Sequence, residues 1–158
     1  MPEQATIERA RKDKREGKAP STQAGEFIRE EMRHIREGKH GARSARQAIA
    51  IGLSEARRAG VKLPPPKPST TSERTRRSAQ RAYEAGQGPR KPVSRRRSRA
   101  TLRALRREGT QAASPESLSR QTKLSSRRRS TAQRRASARR AARTRSQRLR
   151  GDAALRSR

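Results

Sequence analysis

Clusters of arginine recur along the second half of the chain, and they are the residues whose type and spacing best suit a definite chemistry. Three consecutive arginines lie at 95–97 and again at 127–129, each time between serines, and pairs follow at 134–135 and 139–140. A guanidinium group stays charged at any physiological pH, and its planar fork of N–H donors matches two phosphate oxygens. The repeated clusters therefore predict binding to a polyphosphate through its backbone.

We expect twenty arginines of this half to contact nucleic acid. They are Arg74, Arg76, Arg77, Arg81, Arg95, Arg96, Arg97, Arg99, Arg103, Arg106, Arg107, Arg127, Arg128, Arg129, Arg134, Arg135, Arg139, Arg140, Arg143 and Arg145. Phosphate contacts carry no base information, and the chain has two aromatic residues, Phe27 and Tyr83. Tyr83 is either a residue that stacks on a base or an exposed helix position. We therefore expect binding without sequence preference.

Enzymatic chemistry is not expected from this sequence. It contains no cysteine, so it has no thiolate nucleophile and no thiolate metal ligand. Its two histidines, His34 and His40, are not at the i, i+4 spacing that a His-Glu-x-x-His metal site uses. No phosphate-binding glycine loop ends in Lys and Ser or Thr. The sequence thus predicts no catalytic residue, no metal ion and no cofactor.

The charge balance indicates the class of partner. The chain of 158 residues carries 44 Lys and Arg against 14 Asp and Glu, a formal net charge of +30. Such a field concentrates polyanions, so we expect DNA first and RNA as the alternative. No apolar run approaches the roughly 18 residues of a membrane-spanning helix, and the N-terminal residues do not resemble a signal peptide. We expect a cytoplasmic, nucleoid-associated protein that does not bind membranes.

Four segments follow from charge and proline content. They are a charged N-terminal helix (1–20), a helical head (21–63), a Pro-rich linker (64–72) and a basic arm (73–158). Leu, Ile, Val and Phe together make up about 10% of the residues, which at this net charge is typical of disordered chains. The predicted fold is mainly α: a hairpin of two to three helices, with a long arm that is largely disordered or transiently helical until it binds.

Short punctuation signals place the helices of the first half at roughly 3–16, 22–37 and 45–59. The tetrapeptide Arg-Glu-Gly-Lys occurs at 15–18 and 36–39, and each glycine suits a left-handed helix end. The serines that follow suit N-caps, and Ser44 with Gln47 forms a capping box. Further on, Thr70 with Glu73 predicts the start of another helix, which Gly86 would end.

Two apolar stripes at spacings of three and four predict that the second and third helices face each other. The candidate core residues of this head are Phe27, Ile28, Ile35, Ile49, Gly52 and Leu53. Small residues at 48, 52 and 56 favour a close approach of the two helices. The apolar area is small for a free-standing unit, so a homodimer through the head is an alternative.

The stretch Gln-Ala-Ile-Ala-Ile-Gly-Leu-Ser-Glu-Ala at 47–56, with the Glu-Gly-Lys and Ser before it, resembles small, strongly basic bacterial proteins of unknown function. Some of those are loosely labelled DNA-binding. The resemblance covers about residues 21–63 and implies a bacterial origin and a helical hairpin. The arm resembles histone-like tails in its basic composition only. It is rich in arginine, whereas those tails favour lysine.

Together these features predict a protein that coats or compacts DNA without sequence preference. One alternative is an RNA- or ribosome-associated protein, in which the arm lies between RNA helices. Another is an adaptor whose head binds a protein while the arm adds avidity. A helix-turn-helix made from the second and third helices is a further alternative, in which Arg46, Gln47, Ser54 and Arg57 form the outer face.

Overall fold

Most of the described residues are helical. The computed structural model describes residues 2–89, 92 and 94–156, with side chains through residue 146. These described residues form seven α-helices and one 3-10 helix, and no β-strand. The α-helices are α1 (Gln4–Arg15), α2 (Pro20–Arg36), α3 (Ala45–Arg58), α4 (Glu73–Gln87), α5 (Arg95–Arg106), α6 (Pro115–Arg127) and α7 (Thr131–Arg156), and the 3-10 helix is Thr110–Ala113.

The prediction of a two- or three-helix hairpin with a long, largely disordered arm is wrong. Helices α4 to α7 occupy most of the predicted arm, of which residues 90, 91, 93, 157 and 158 lie outside the described part. Ala, Arg and Gln are good helix formers, and a serine caps each of these four helices. The hydroxyl oxygens of Ser72, Ser94, Ser114 and Ser130 each accept the backbone N–H three residues on, at 3.2 to 3.4 Å.

A second reason for the error is a long-range contact that the sequence pattern does not reveal. The chain after α5 returns to the loop between α2 and α3, where the Gly41 N–H donates to the Leu105 carbonyl at 3.0 Å. Ala112 and Ala113 of the 3-10 helix are buried with Ile35 of α2, and Arg36 donates to the Ala113 carbonyl at 3.0 Å. The 3-10 helix thus belongs to the core of the first half.

The chain divides into two compact units, Met1–Leu118 and Ser119–Arg158. In the first unit, α2 packs against α1 and α3, α3 packs against α4, and the 3-10 helix lies against α2 and α3. The second unit contains the end of α6 and all of α7. No helix of the described residues combines the length and the apolar character that crossing a bilayer requires.

The predicted starts and ends of α1, α2 and α3 agree with the structure to within about two residues. Gly17 and Gly38 follow α1 and α2 with φ of +69° and +71°, the left-handed conformation that the repeat indicated. Ser44 caps α3 by accepting the Gln47 N–H. The expected serine cap of α2 is wrong, because Pro20 takes the first helical position, where its missing N–H costs nothing, and starts the helix earlier.

Two apolar clusters make up the core of the first unit. Phe27 lies in one cluster and Ile35 in the other, and both are fully buried, whereas Ile28, Ile49 and Leu53 are half-buried around them. Most other core members are alanines. A core of such small side chains requires its helices to approach closely.

Glycines allow that approach at two helix crossings. A Cβ atom on Gly52 of α3 would lie 2.8 Å from the Cα of Ile28 in α2. A Cβ atom on Gly86 would lie 1.8 Å from the carbonyl oxygen of Arg57, so α4 contacts the end of α3. The prediction that Gly86 ends α4 is wrong, because the helix continues to Gln87. The predicted cap at Thr70 is also wrong, because the helix begins after Ser72.

A buried arginine fixes the Pro-rich segment to α3. The Arg57 side chain is among the buried residues of the first unit, and burial lowers its pKa from the ordinary value. Its guanidinium donates to the carbonyls of Leu63 and Pro64 at 3.1 and 3.3 Å. Because a proline-rich segment has few N–H groups for pairing, these carbonyl contacts hold the start of the linker against the helix.

We expect Gly52→Ala to lower the free energy of unfolding, because an overpacking strain of about 1 to 3 kcal/mol exceeds the helix-propensity gain of about 1 kcal/mol. The matched control is Gly25→Ala in α2, where a Cβ atom meets nothing within 4 Å. That variant should be more stable by about 1 kcal/mol. Urea unfolding followed by circular dichroism measures both, and equal stabilisation by the two substitutions would contradict the close crossing.

Replacement of Arg57 by methionine should lower the free energy of unfolding by about 2 to 3 kcal/mol, since two carbonyls lose a charged donor. It should also speed tryptic cleavage after Lys62. The neighbouring Arg58 is exposed, so Arg58→Met serves as the control and should change neither quantity. Identical unfolding curves and digestion rates for the two variants would show that the guanidinium contacts do not hold the linker.

Candidate nucleic-acid interface

The structure places almost all of the arginines singled out from the sequence at the surface. Nineteen of the twenty are exposed, and Arg76 is half-buried. Four lie in α4, six in α5 with Arg107 directly after it, and three at 127–129, where α6 ends and the connection to α7 begins. The remaining six lie in α7. Most of these arginines therefore project from helices rather than from an extended chain.

The α4 arginines differ from the others because an acid holds two of them. Glu73 accepts hydrogen bonds from Arg76 at 2.8 Å and from Arg77 at 3.0 Å. These two contacts lower the pKa of Glu73 to about 2. Arg76 and Arg77 thus have a partner within their own helix, and binding a phosphate would require them to leave or share it.

Acidic side chains elsewhere in the first unit also pair with nearby bases. Glu26 contacts Arg9 at 2.9 Å and Arg29 at 2.7 Å, and Asp13 contacts Lys18 at 2.7 Å. These pairs join α1 to α2 or lie beside that junction. Much of the positive charge of α1 and α2 is therefore compensated locally.

Residues 119–146 have no such compensation. They contain eleven basic side chains and no acidic one, and all eleven are exposed. Arginines of this segment donate to neutral oxygens. Arg134, for example, donates to the Arg129 carbonyl at 3.2 Å and to the Thr131 hydroxyl at 3.3 Å. This segment of α6 and α7 therefore carries an uncompensated positive charge.

The spacing within α7 adds repulsion between like charges. Arg135, Arg139 and Arg143 follow each other at i, i+4, the spacing at which helical side chains are neighbours. Arg134, Arg140 and Arg145 point in further directions, because each residue turns the helix by about 100°. A polyanion alongside α7 would relieve this repulsion from any side.

Helix α5 begins with a concentration of positive charge. Arg95, Arg96 and Arg97 form its first turn, and no acid lies there. The free N–H groups of a helix start already give that end a partial positive charge, so three cations there are electrostatically unfavourable without an anion.

The features proposed for base recognition are weak in the structure. Tyr83, considered as a residue that stacks on a base or as an exposed helix position, is half-buried on α4. On the outer face required for a helix-turn-helix, Arg57 is in fact buried, and the Gln47 side chain accepts the Arg43 backbone N–H at 3.0 Å. Two of the four residues assigned to that face are therefore committed to the fold.

A second cluster of ionisable groups lies inside the first unit, and sequence reasoning missed it. Glu30 and Glu31 of α2 are each 2% exposed, and one oxygen of each carboxylate has no hydrogen-bond partner. His34 lies one turn further along α2, and His40 returns from the loop after Gly38 to within 3.5 Å of Glu31. Burial, with the nearby Glu55 and Glu30 carboxylates, raises the pKa of Glu31 to about 7.

The signal for this cluster was the i, i+3 and i, i+4 spacing of Glu31 and Glu30 to His34, which places all three on one side of α2. The histidine spacing alone gave no hint, because the second histidine reaches the site through a loop rather than along the helix.

Comparison with known proteins finds one family whose model matches part of the chain. Residues 4–67 match a family of unknown function, DUF6496. The match covers α1 to α3 and ends in the Pro-rich segment, less than half of the chain. It agrees with the expected resemblance to an uncharacterised family over the head. No curated protein and no solved structure matches the chain.

Proposed function

We propose that the protein binds nucleic acid, DNA in the first place, without sequence preference and through the exposed arginines of its second half. The observation that carries the proposal is the segment 119–146, with eleven exposed basic side chains and no acid. Coating or compaction of DNA in the manner of a nucleoid-associated protein is the role that such binding would serve.

The physical basis is release of counterions from the polyphosphate. Each arginine that neutralises a phosphate frees a condensed cation, so affinity falls steeply as salt rises. Guanidinium forks add paired hydrogen bonds to phosphate oxygens. Neither effect depends on base sequence, which is consistent with the small number of aromatic residues in the chain.

The exposed arginines of α7 favour binding along the phosphate backbone of DNA rather than recognition of bases in a groove. A recognition helix presents one face of base-contacting side chains, whereas the arginines of α7 extend in several directions. About 39 Å of helix would lie beside many phosphates, given a rise of 1.5 Å per residue. The first unit has an apolar core of its own and is covalently joined to this charged segment.

We expect glutamine at the six α7 arginines predicted to contact nucleic acid to weaken binding to duplex DNA. It should also reduce the slope of log affinity against log salt by about 5, since each phosphate contact contributes about 0.9. The substituted residues are Arg134, Arg135, Arg139, Arg140, Arg143 and Arg145. Fluorescence anisotropy at several salt concentrations measures both quantities, and glutamine preserves helix propensity.

The matched control removes the same charge from the first unit. It replaces six exposed bases by glutamine, namely Arg11, Lys14, Arg15, Arg46, Arg58 and Lys62. This control should keep most of the salt slope. Equal losses in the two variants would show that net charge, not the 119–146 segment, sets the affinity, and tighter binding of structured RNA than of duplex DNA at equal salt would make RNA the primary partner.

A further inference from the structure

We propose that Glu31, His34 and His40 form a binding site for one divalent transition-metal ion of the zinc class. The ligand atoms of these three side chains lie within 4.8 Å of one another. Zinc takes neutral imidazole nitrogens and carboxylate oxygens at about 2.0 to 2.2 Å, so tetrahedral ligands lie about 3.3 Å apart. The 3.5 Å between His40 Nε2 and Glu31 Oε2 is already close to that spacing.

The buried carboxylates supply an independent reason for a cation here. Glu30 Oε2 and Glu31 Oε1 are buried and have no hydrogen-bond partner among the described atoms. Among the described residues, the two carboxylates form ion pairs with His34 and His40 and with no lysine or arginine. A buried carboxylate without a partner is costly, and an ion bound beside it would remove that cost.

Each histidine has the additional hydrogen-bond partner that metal-binding histidines usually have. His40 Nδ1 lies 3.3 Å from the Gly41 carbonyl, which favours the tautomer that leaves Nε2 as the lone-pair nitrogen facing Glu31. His34 Nε2 lies 2.9 Å from Glu3 Oε1, and a carboxylate that accepts one ring N–H makes the other nitrogen the lone pair. Carboxylates and backbone carbonyls hold metal-binding histidines in this way.

Further contacts hold Glu3 in that supporting position. Its carboxylate also accepts a hydrogen bond from Arg33 of α2. Its backbone N–H donates to Glu30 Oε1 at 2.7 Å, so the residue before α1 also closes one side of the site. Glu3, Glu30 and His34 form a second group of ligand atoms within 4.8 Å, which shares His34 with the first.

The site is partly open to solvent. The His34 and His40 side chains are 17% and 12% exposed, whereas Glu31 is 2% exposed. An ion can therefore reach the two rings from solution and meet the buried carboxylate behind them. Glu55 of α3 adds a further negative charge nearby.

Binding of Zn²⁺ to the metal-free full chain tests the proposal by titration calorimetry. We expect one ion per chain, a higher midpoint of thermal unfolding, and much weaker binding of Mg²⁺, which prefers all-oxygen sites. Glu31→Gln preserves side-chain volume and should lower zinc affinity at least 100-fold. Glu84→Gln, at an exposed carboxylate on α4, is the matched control and should leave it unchanged.

The two imidazoles give a readout that does not depend on any variant folding. Because the chain contains only two histidines, nuclear magnetic resonance of the rings should show both signals shifting until one equivalent of zinc is added, and none after. Ring signals that do not change with zinc, equal affinity for Mg²⁺, or unchanged affinity in Glu31→Gln would each overturn the site. None of these results bears on DNA binding.

Discussion

A shortage of large apolar side chains is the constraint on which the fold depends. The core must use alanine and glycine, so its helices are held together by close backbone approach, as where Gly52 meets Ile28. Residues distant in sequence complete the core: Ala112 and Ala113 are buried in the same cluster as Ile35. Each such contact is small, and together they place α1 to α4 and the 3-10 helix in one unit.

The same constraint explains where the charges lie. In a small unit with little apolar surface, acids are placed among the bases of α1 and α2, where pairs such as Glu26 with Arg9 join neighbouring helices. The second unit has no acids between residues 119 and 146, so its arginines repel one another and remain available to an external anion. The buried Glu30 and Glu31 of α2 differ from these pairs, because they face histidines rather than permanent cations.

Local signals in the sequence were sufficient for local structure. Gly38 and Ser44 mark the end of α2 and the start of α3, since each acts through its own backbone conformation or hydroxyl. The helical state of the second half was missed because its composition resembles that of disordered chains, although its alanines and arginines favour helix. The burial of Ala113 and the approach of His40 to Glu31 were missed for another reason: both depend on loops that bring together residues whose sequence spacing carries no pattern.

Chemical footprinting tests most directly the central claim that affinity for polynucleotide lies mainly in the arginines of the acid-free segment 119–146. The full chain would be treated with an arginine-specific dicarbonyl reagent, free and bound to duplex DNA, and modification at each residue quantified by mass spectrometry. The account predicts strong protection between Arg127 and Arg145 and little at Arg11, Arg15 and Arg58. Equal protection at all exposed arginines, or protection confined to the first unit, would contradict it.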